Sequence, residues 1–199
     1  MSEVILNIEN HIAWVTLNRP ESINAFTITM IEELCRTLRS LDEDQNIRVI
    51  VFKGEGKHFC AGGDIKAMEN KKEMFAGESN ELRIRYEYGI QQIPITMERL
   101  QTPTIAMVNG AAIGAGCDFA CMSDIRIGHE KTKMGETFSK LALVPGDGGT
   151  YFLPRVVGYT KAMEMFLTGK IYSAEECLDM GLLNKLVPLN NIESETKVL

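Results

Sequence analysis

The apolar positions of this 199-residue chain change their spacing in a regular rhythm. Residues 4–8 and 12–17 are short β-prone runs on either side of Asn10-His11, which predicts an opening hairpin. After a turn at Asn18-Arg19-Pro20, Met30, Ile31, Leu34, Leu38 and Leu41 recur at helical spacing, predicting a helix over about residues 29–41. Residues 49–52 form a short apolar strand that runs into a glycine-punctuated loop, 54–63. Residues 66–87 are dense in charge and weakly periodic, so a mobile, solvated stretch with helical turns is expected there. A second apolar strand, 104–108, enters another small-residue loop, then a helix over 115–122 and a strand over 124–127. Helices near 148–157, 160–167 and 174–180 and a strand at 185–187 complete the pattern. No internal repeat is visible, but strand, glycine loop and helix follow one another twice. That rhythm implies an α/β fold whose loops gather at one edge.

Composition narrows the possibilities without choosing among them. With 45% hydrophobic and 24% charged residues, the chain reads as one globular domain able to bury a core. The net charge of −6 argues against a nucleic-acid surface. Arg19, Lys53, Lys57, Lys66 and Lys71 nevertheless supply local cations able to steer a small anionic ligand. The five cysteines are dispersed, without a CxxC pair, which fits a reducing interior. No charged leader followed by an apolar run opens the chain, and no stretch approaches the ~20 apolar residues of a membrane span. A cytoplasmic protein that contacts neither membrane nor nucleic acid is the expectation.

The candidate chemistry lies in the two loops. His58-Phe59-Cys60-Ala61-Gly62-Gly63-Asp64-Ile65 follows one strand, and residues 109–118 follow the other and open a helix. Small residues in both let a ligand reach the backbone, where amide N–H groups can meet an anion. Each loop alone is equally well a tight turn. Neither matches a phosphate-loop or dinucleotide pattern. Two such loops after successive strands, however, supply the pair of amides that a developing thioester oxyanion needs.

FCAGGDI and VNGAAIGAGCDFA, with NRPESINAF upstream and PGDGGTYFLPRVVG downstream, resemble the crotonase (enoyl-CoA hydratase/isomerase) superfamily in order and spacing. The likeness runs from the opening hairpin to about residue 188. It implies a crotonase-like (ClpP/crotonase) spiral of ββα units over residues 1–188. Residues 189–199 are then a polar tail or the start of a C-terminal helical part that is shortened here. By the same resemblance the oxyanion amides fall on Gly63 and Ala115. Ala61, Asp64 and Ile65 would line the adenine and pantetheine side of a coenzyme A site, with Ile23 and Ala25 on its other wall. The expected substrate is an acyl-CoA thioester, with no separate cofactor and no metal, in a homotrimer or dimer of trimers.

The acid or base is less direct. Asp118, three residues beyond Ala115, shares its helix face and stands where hydratases of the superfamily place the first of two catalytic glutamates; the alternative is an aspartate that only favours a helix start. The second glutamate position falls on Phe138. Glu136, two residues away, would need an altered backbone path to replace it. Asp147, in Pro145-Gly146-Asp147-Gly148-Gly149, is either the missing carboxylate or a helix N-cap. His58 is a further candidate base. One carboxylate, Asp147 or Asp118, suffices to move a double bond; hydration would use both. Enoyl-CoA isomerase or hydratase is therefore the expected activity, isomerisation the stronger one. Decarboxylation, thioester hydrolysis and a silent acyl-CoA-binding homologue are the alternatives.

Overall fold

The computed structural model describes residues 2–199. The hairpin forms as expected: β1 (Val4–Glu9) and β2 (Ile12–Leu17) pair antiparallel, with Asn10 and His11 in left-handed turn conformations. Helix α1 (Ile28–Glu43) begins at Thr27, whose hydroxyl accepts the Met30 amide, and buries the anticipated Met30, Ile31, Leu34, Leu38 and Leu41. Strand β3 (Val49–Gly54) follows. Then come α2 (Ile65–Glu69), α3 (Ser79–Glu87), α4 (Gln92–Arg99), β4 (Thr104–Val108) and β5 (Ala111–Ile113). The chain continues through α5 (Ala115–Cys121), β6 (Ile125–His129), β7 (Lys133–Gly135), α6 (Gly149–Val157) and α7 (Tyr159–Thr168). It closes with β8 (Ile171–Ser173), α8 (Ala174–Asp179), β9 (Lys185–Val187) and α9 (Ile192–Val198).

Six strands form one sheet in the order β1-β2-β3-β4-β6-β9, parallel from β2 onward. Both faces are covered, which is why β3 and β4 read as continuous apolar runs rather than alternating ones. Ile50, Phe52, Ala106 and Val108 face the large core beneath the helices. Val51, Ile105 and Met107 face a second core, with Trp14, Ile127 and Ile192. A second sheet, β5-β7-β8, stands apart from the first. Its three-residue strands are too short for periodicity to show, and they pair with segments far away in sequence.

Three segments gain definition. Residues 66–87 are not merely a solvated stretch: Met74, in a 3-10 turn at Glu73–Phe75 between α2 and α3, is buried, and Phe75 and Tyr86 pack against the large core. Helix α4 was not legible because Pro94 interrupts its sequence; in the helix it stands at the third position, where its missing N–H costs nothing. The polar residues 189–199 form a 3-10 turn and α9, which buries Ile192 and Thr196.

Candidate active site

Because β3 and β4 are neighbouring parallel strands, their C-terminal loops emerge at the same edge. Side-chain amides then bind the loops to each other. Asn109 accepts the Gly54 N–H at 2.9 Å and donates to Gly54 O and Gly56 O at 2.8 and 3.1 Å. Asn24, fully buried in a left-handed conformation, donates to Glu55 O, His58 O and Phe59 O at 3.1, 2.9 and 3.2 Å. It thereby fastens the upstream NRPESINAF segment to the first loop, where Ala61 N–H also donates to Ile23 O and Phe26 N–H to Gly62 O. The loops touch through glycine: a Cβ on Gly116 would lie 2.1 Å from Cys60 O, and one on Gly62 2.9 Å from Ala115 N. Four aromatic rings lock the assembly beneath. Phe119 of α5 lies with its centroid 5.8, 4.8 and 5.9 Å from Phe26, Phe52 and Phe59.

A pocket opens over this junction. Gly63 and Ala115 line it together with Phe26, Ala61, Ile65, Met68, Met74, Phe75, Ile90, Phe138, Leu141 and Leu143. Among the described residues, neither Gly63 N–H nor Ala115 N–H donates a hydrogen bond elsewhere in the loops. A groove leads into it, walled by Ile23, Ala25, Ala61, Gly63, Asp64, Ile65 and Lys66. Every residue expected on the coenzyme A side except Ala115 lies in this one groove. Asp64 also has a local task, accepting the Ala67 N–H at 3.1 Å as N-cap of α2. Of the local cations, Lys66 lines the groove, whereas Lys53 turns to the opposite face of the sheet, over Trp14 and beside Glu193.

The acidic residues occupy two depths. Asp147 lines the pocket and is the one carboxylate that does so. It is not an N-cap: that position in α6 belongs to Gly148, without a side-chain cap. Burial pushes its carboxyl up to about 6. Tyr86 of α3, which the sequence did not suggest, lines the same pocket, and burial together with the Asp147 charge pushes its hydroxyl up to about 12. Asp118 lies deeper. It is fully buried against α6, so near that a Cβ on Gly149 would stand 1.8 Å from its Oδ1. Its expected projection toward the pocket is therefore replaced by packing between α5 and α6, and it is absent from the pocket wall.

Glu136 is also fully buried, in the neighbourhood of Asp118, and none of the four oxygens of the two carboxyls has a hydrogen-bond partner. Burial first, then the charge of Glu136, holds Asp118 well above the ordinary carboxylate range; burial first, then Cys121, raises Glu136 to about 8. Phe138 stands in the pocket wall, where a second glutamate was sought. His58 is a brace, its Nδ1 accepting the Ala111 N–H at 3.3 Å. The Cys60 thiol is pushed up to about 12 and that of Cys117 well above its ordinary value, so neither is a ready thiolate. Among the described residues no group of His, Cys, Asp and Glu is arranged to hold a metal ion.

Comparison with known proteins gives consistent likenesses. The sequence profile of the family described as Enoyl-CoA hydratase/isomerase matches residues 7–199. A probable mitochondrial enoyl-CoA hydratase of Dictyostelium discoideum is 37% identical over 187 residues, covering 94% of this chain and 64% of the relative. A trans-2-decenoyl-[acyl-carrier-protein] isomerase of Streptococcus mutans is 30% identical, covering 98% of this chain and 73% of the relative. The crystal structure of an enoyl-CoA hydratase from Bacillus anthracis superposes with a TM-score of 0.88 at 32% identity, over 98% of this chain and 74% of that one. The chain thus spans about two thirds to three quarters of the length of these relatives.

Proposed function

The chain belongs to the enoyl-CoA hydratase/isomerase family, and on that premise we propose that it moves the double bond of an enoyl-CoA thioester, with Asp147 as the single proton carrier. The observation that carries this reading is the pocket wall, which holds two backbone amides and one carboxylate, with phenylalanine where a second acid would be needed.

The chemistry follows from those groups. The thioester carbonyl accepts hydrogen bonds from Gly63 N–H and Ala115 N–H, whose pull grows as charge develops on that oxygen. Asp147 removes a proton from the α-carbon of a 3-enoyl thioester, and the C–H electron pair passes into the enolate. The γ-carbon then takes the proton back from Asp147, the carbonyl re-forms, and the double bond lies between the α- and β-carbons. One carboxylate completes the cycle with no net change in its own protonation. Ile23, Ala25, Ala61, Asp64 and Ile65 guide the coenzyme A portion, and Met68, Met74, Phe75, Ile90, Leu141 and Leu143 receive the acyl chain. Adding water by a pair of acids needs a second carboxyl to hold and activate it, and Phe138 offers none.

The test compares isomerisation of 3-enoyl-CoA esters with hydration of the matching 2-enoyl-CoA esters. Isomerisation should be faster, and Asp147→Asn should abolish it. Faster hydration, or an unimpaired Asp147→Asn variant, would overturn the proposal; decarboxylation or thioester hydrolysis without isomerisation would place the same enolate in another reaction. A homotrimer or dimer of trimers in the cytoplasm remains the family-based expectation for the assembly, and a monomer in sedimentation would refute that assembly. No helix among the described residues is long and apolar enough to cross a membrane.

A further inference from the structure

The start of α4 touches the turn that carries Asp147 on both of its sides. Gln91, the half-buried residue that precedes α4, donates from its side-chain Nε2 to Gly146 O at 3.0 Å. That side chain does not cap its own helix, and the Gln91 backbone N–H donates to Tyr86 O at 3.1 Å. Three residues on, Pro94 packs against the other side of the turn. A Cβ on Gly148, whose φ is +105°, would lie 2.7 Å from Pro94 Cβ. Gln91 is thus bonded both to α3 and to the turn, whose side chains Tyr86 and Asp147 line the same pocket, while Gln91 itself does not line it.

The bond to Gly146 matters because little else fixes this turn. Residues 141–144, which lead into it, are exposed. Among the described residues, no other side chain forms a hydrogen bond with residues 144–147. The buried Asp147 Oδ1 has no partner, so its carboxyl is placed by the backbone rather than by a bond of its own. Gly146 C=O and the nitrogen and Cα of Asp147 belong to one planar peptide unit. A hydrogen bond to that carbonyl holds the plane, and with it the point from which the Asp147 side chain departs. Glycine at 146 and 148 leaves the flanking dihedrals soft once the bond is lost. Proton transfer tolerates such softness poorly, because a displacement of about 1 Å costs on the order of 10² in rate.

We propose that Gln91 is a positioning residue for the isomerisation, holding the Gly146–Asp147 peptide so that the Asp147 carboxylate stands within reach of both the α- and the γ-carbon of the substrate. The inference rests on the reading of Asp147 as proton carrier given above. Gln91 touches no reacting atom and acts only through the turn. Its loss therefore slows proton transfer and leaves binding of the coenzyme A portion, in the groove of Ile23, Ala25 and Asp64, unchanged.

Steady-state isomerisation of a 3-enoyl-CoA ester by the full chain tests this. Gln91→Met keeps the length of the side chain and removes its amide donor. Its kcat should fall about 10–100-fold, with KM within about twofold of the parent's. Gln92→Met is the control. Gln92 Nε2 donates to Glu87 O at 2.8 Å, a bond of the same kind that does not reach the turn, and its loss should leave kcat at the parental value. In an Asp147→Asn background, Gln91→Met should slow the residual reaction no further, because the group it positions is gone. Gln91→Leu, also without a donor, gives the same reading if the methionine variant does not fold. Parental kcat in a folded variant of either kind would overturn the inference. So would an equal fall in the Asp147→Asn background or in Gln92→Met, since either marks a general effect on the fold. An Asp147→Asn variant as fast as the parent would strike the proposed reaction and this inference with it; the other outcomes strike the inference alone.

Discussion

An aspartate enclosed by apolar side chains binds its proton more tightly than one in water, and Asp147 is such a residue. Its carboxyl, raised to about 6, is mostly ionised at neutral pH yet basic enough to take a proton from carbon. The active form is the carboxylate, so kcat/KM should fall about tenfold per pH unit below about pH 6. Asp147→Asn should lose roughly 10²–10⁴ in kcat while its thermal transition is maintained or raised, because the buried charge is gone. The pH profile of isomerisation and a melting curve measure the two effects. The oxyanion amide is open to an equally local test. Ala115 is the first residue of α5, a position that accepts proline, so Ala115→Pro deletes the N–H with little offence to the helix. A loss of roughly 10²–10³ in kcat is expected, and circular dichroism checks the fold.

Elements matter here for what they hold still. Helix α5, the first loop, β3 and the NRPESINAF segment each send one phenylalanine into the cluster around Phe119. Three of these pieces carry Ala115, Gly63, and Ile23 with Ala25. Packing these rings thus fixes the spacing of the two amides and of the groove beside them. Phe119→Ala should cost about 3–5 kcal/mol, the range for a large buried side chain, measured as a shift in the urea midpoint. Because the loops would also loosen, kcat should fall in the folded fraction, whereas an equally destabilising change in the second core, such as Ile127→Ala, should leave it nearly intact.

At the scale of the whole molecule, the buried acids make stability depend on pH. Glu136 is raised to about 8 from an ordinary 4.5, and Asp147 to about 6 from 3.8, so the folded chain holds more protons than the unfolded one between those limits. Their contribution is full below about pH 4 and is lost as pH rises to about 8, an effect on the order of 3–5 kcal/mol for Glu136. Melting temperatures measured from about pH 5 to 8 should fall more steeply in the parent chain than in Glu136→Gln.

The sequence by itself determined the hairpin, α1, β3, β4 and α5, because each shows its period or its cap within its own span. It also marked the two glycine loops, since small residues declare a close approach wherever the chain must make one, whereas the residues of the groove were named from the family resemblance alone. It could not assign β5, β7 and β8, whose partners are remote, nor the packing of residues 66–87, whose apolar members are scattered among charges. It offered Asp118, Glu136 and Asp147 as rival acids. Only the tertiary structure separated them by depth, leaving Asp147 on the pocket wall and burying Asp118 in the neighbourhood of Glu136. Depth and mutual distance arise when α5, α6 and the β7 turn pack together, and no spacing along one segment encodes them.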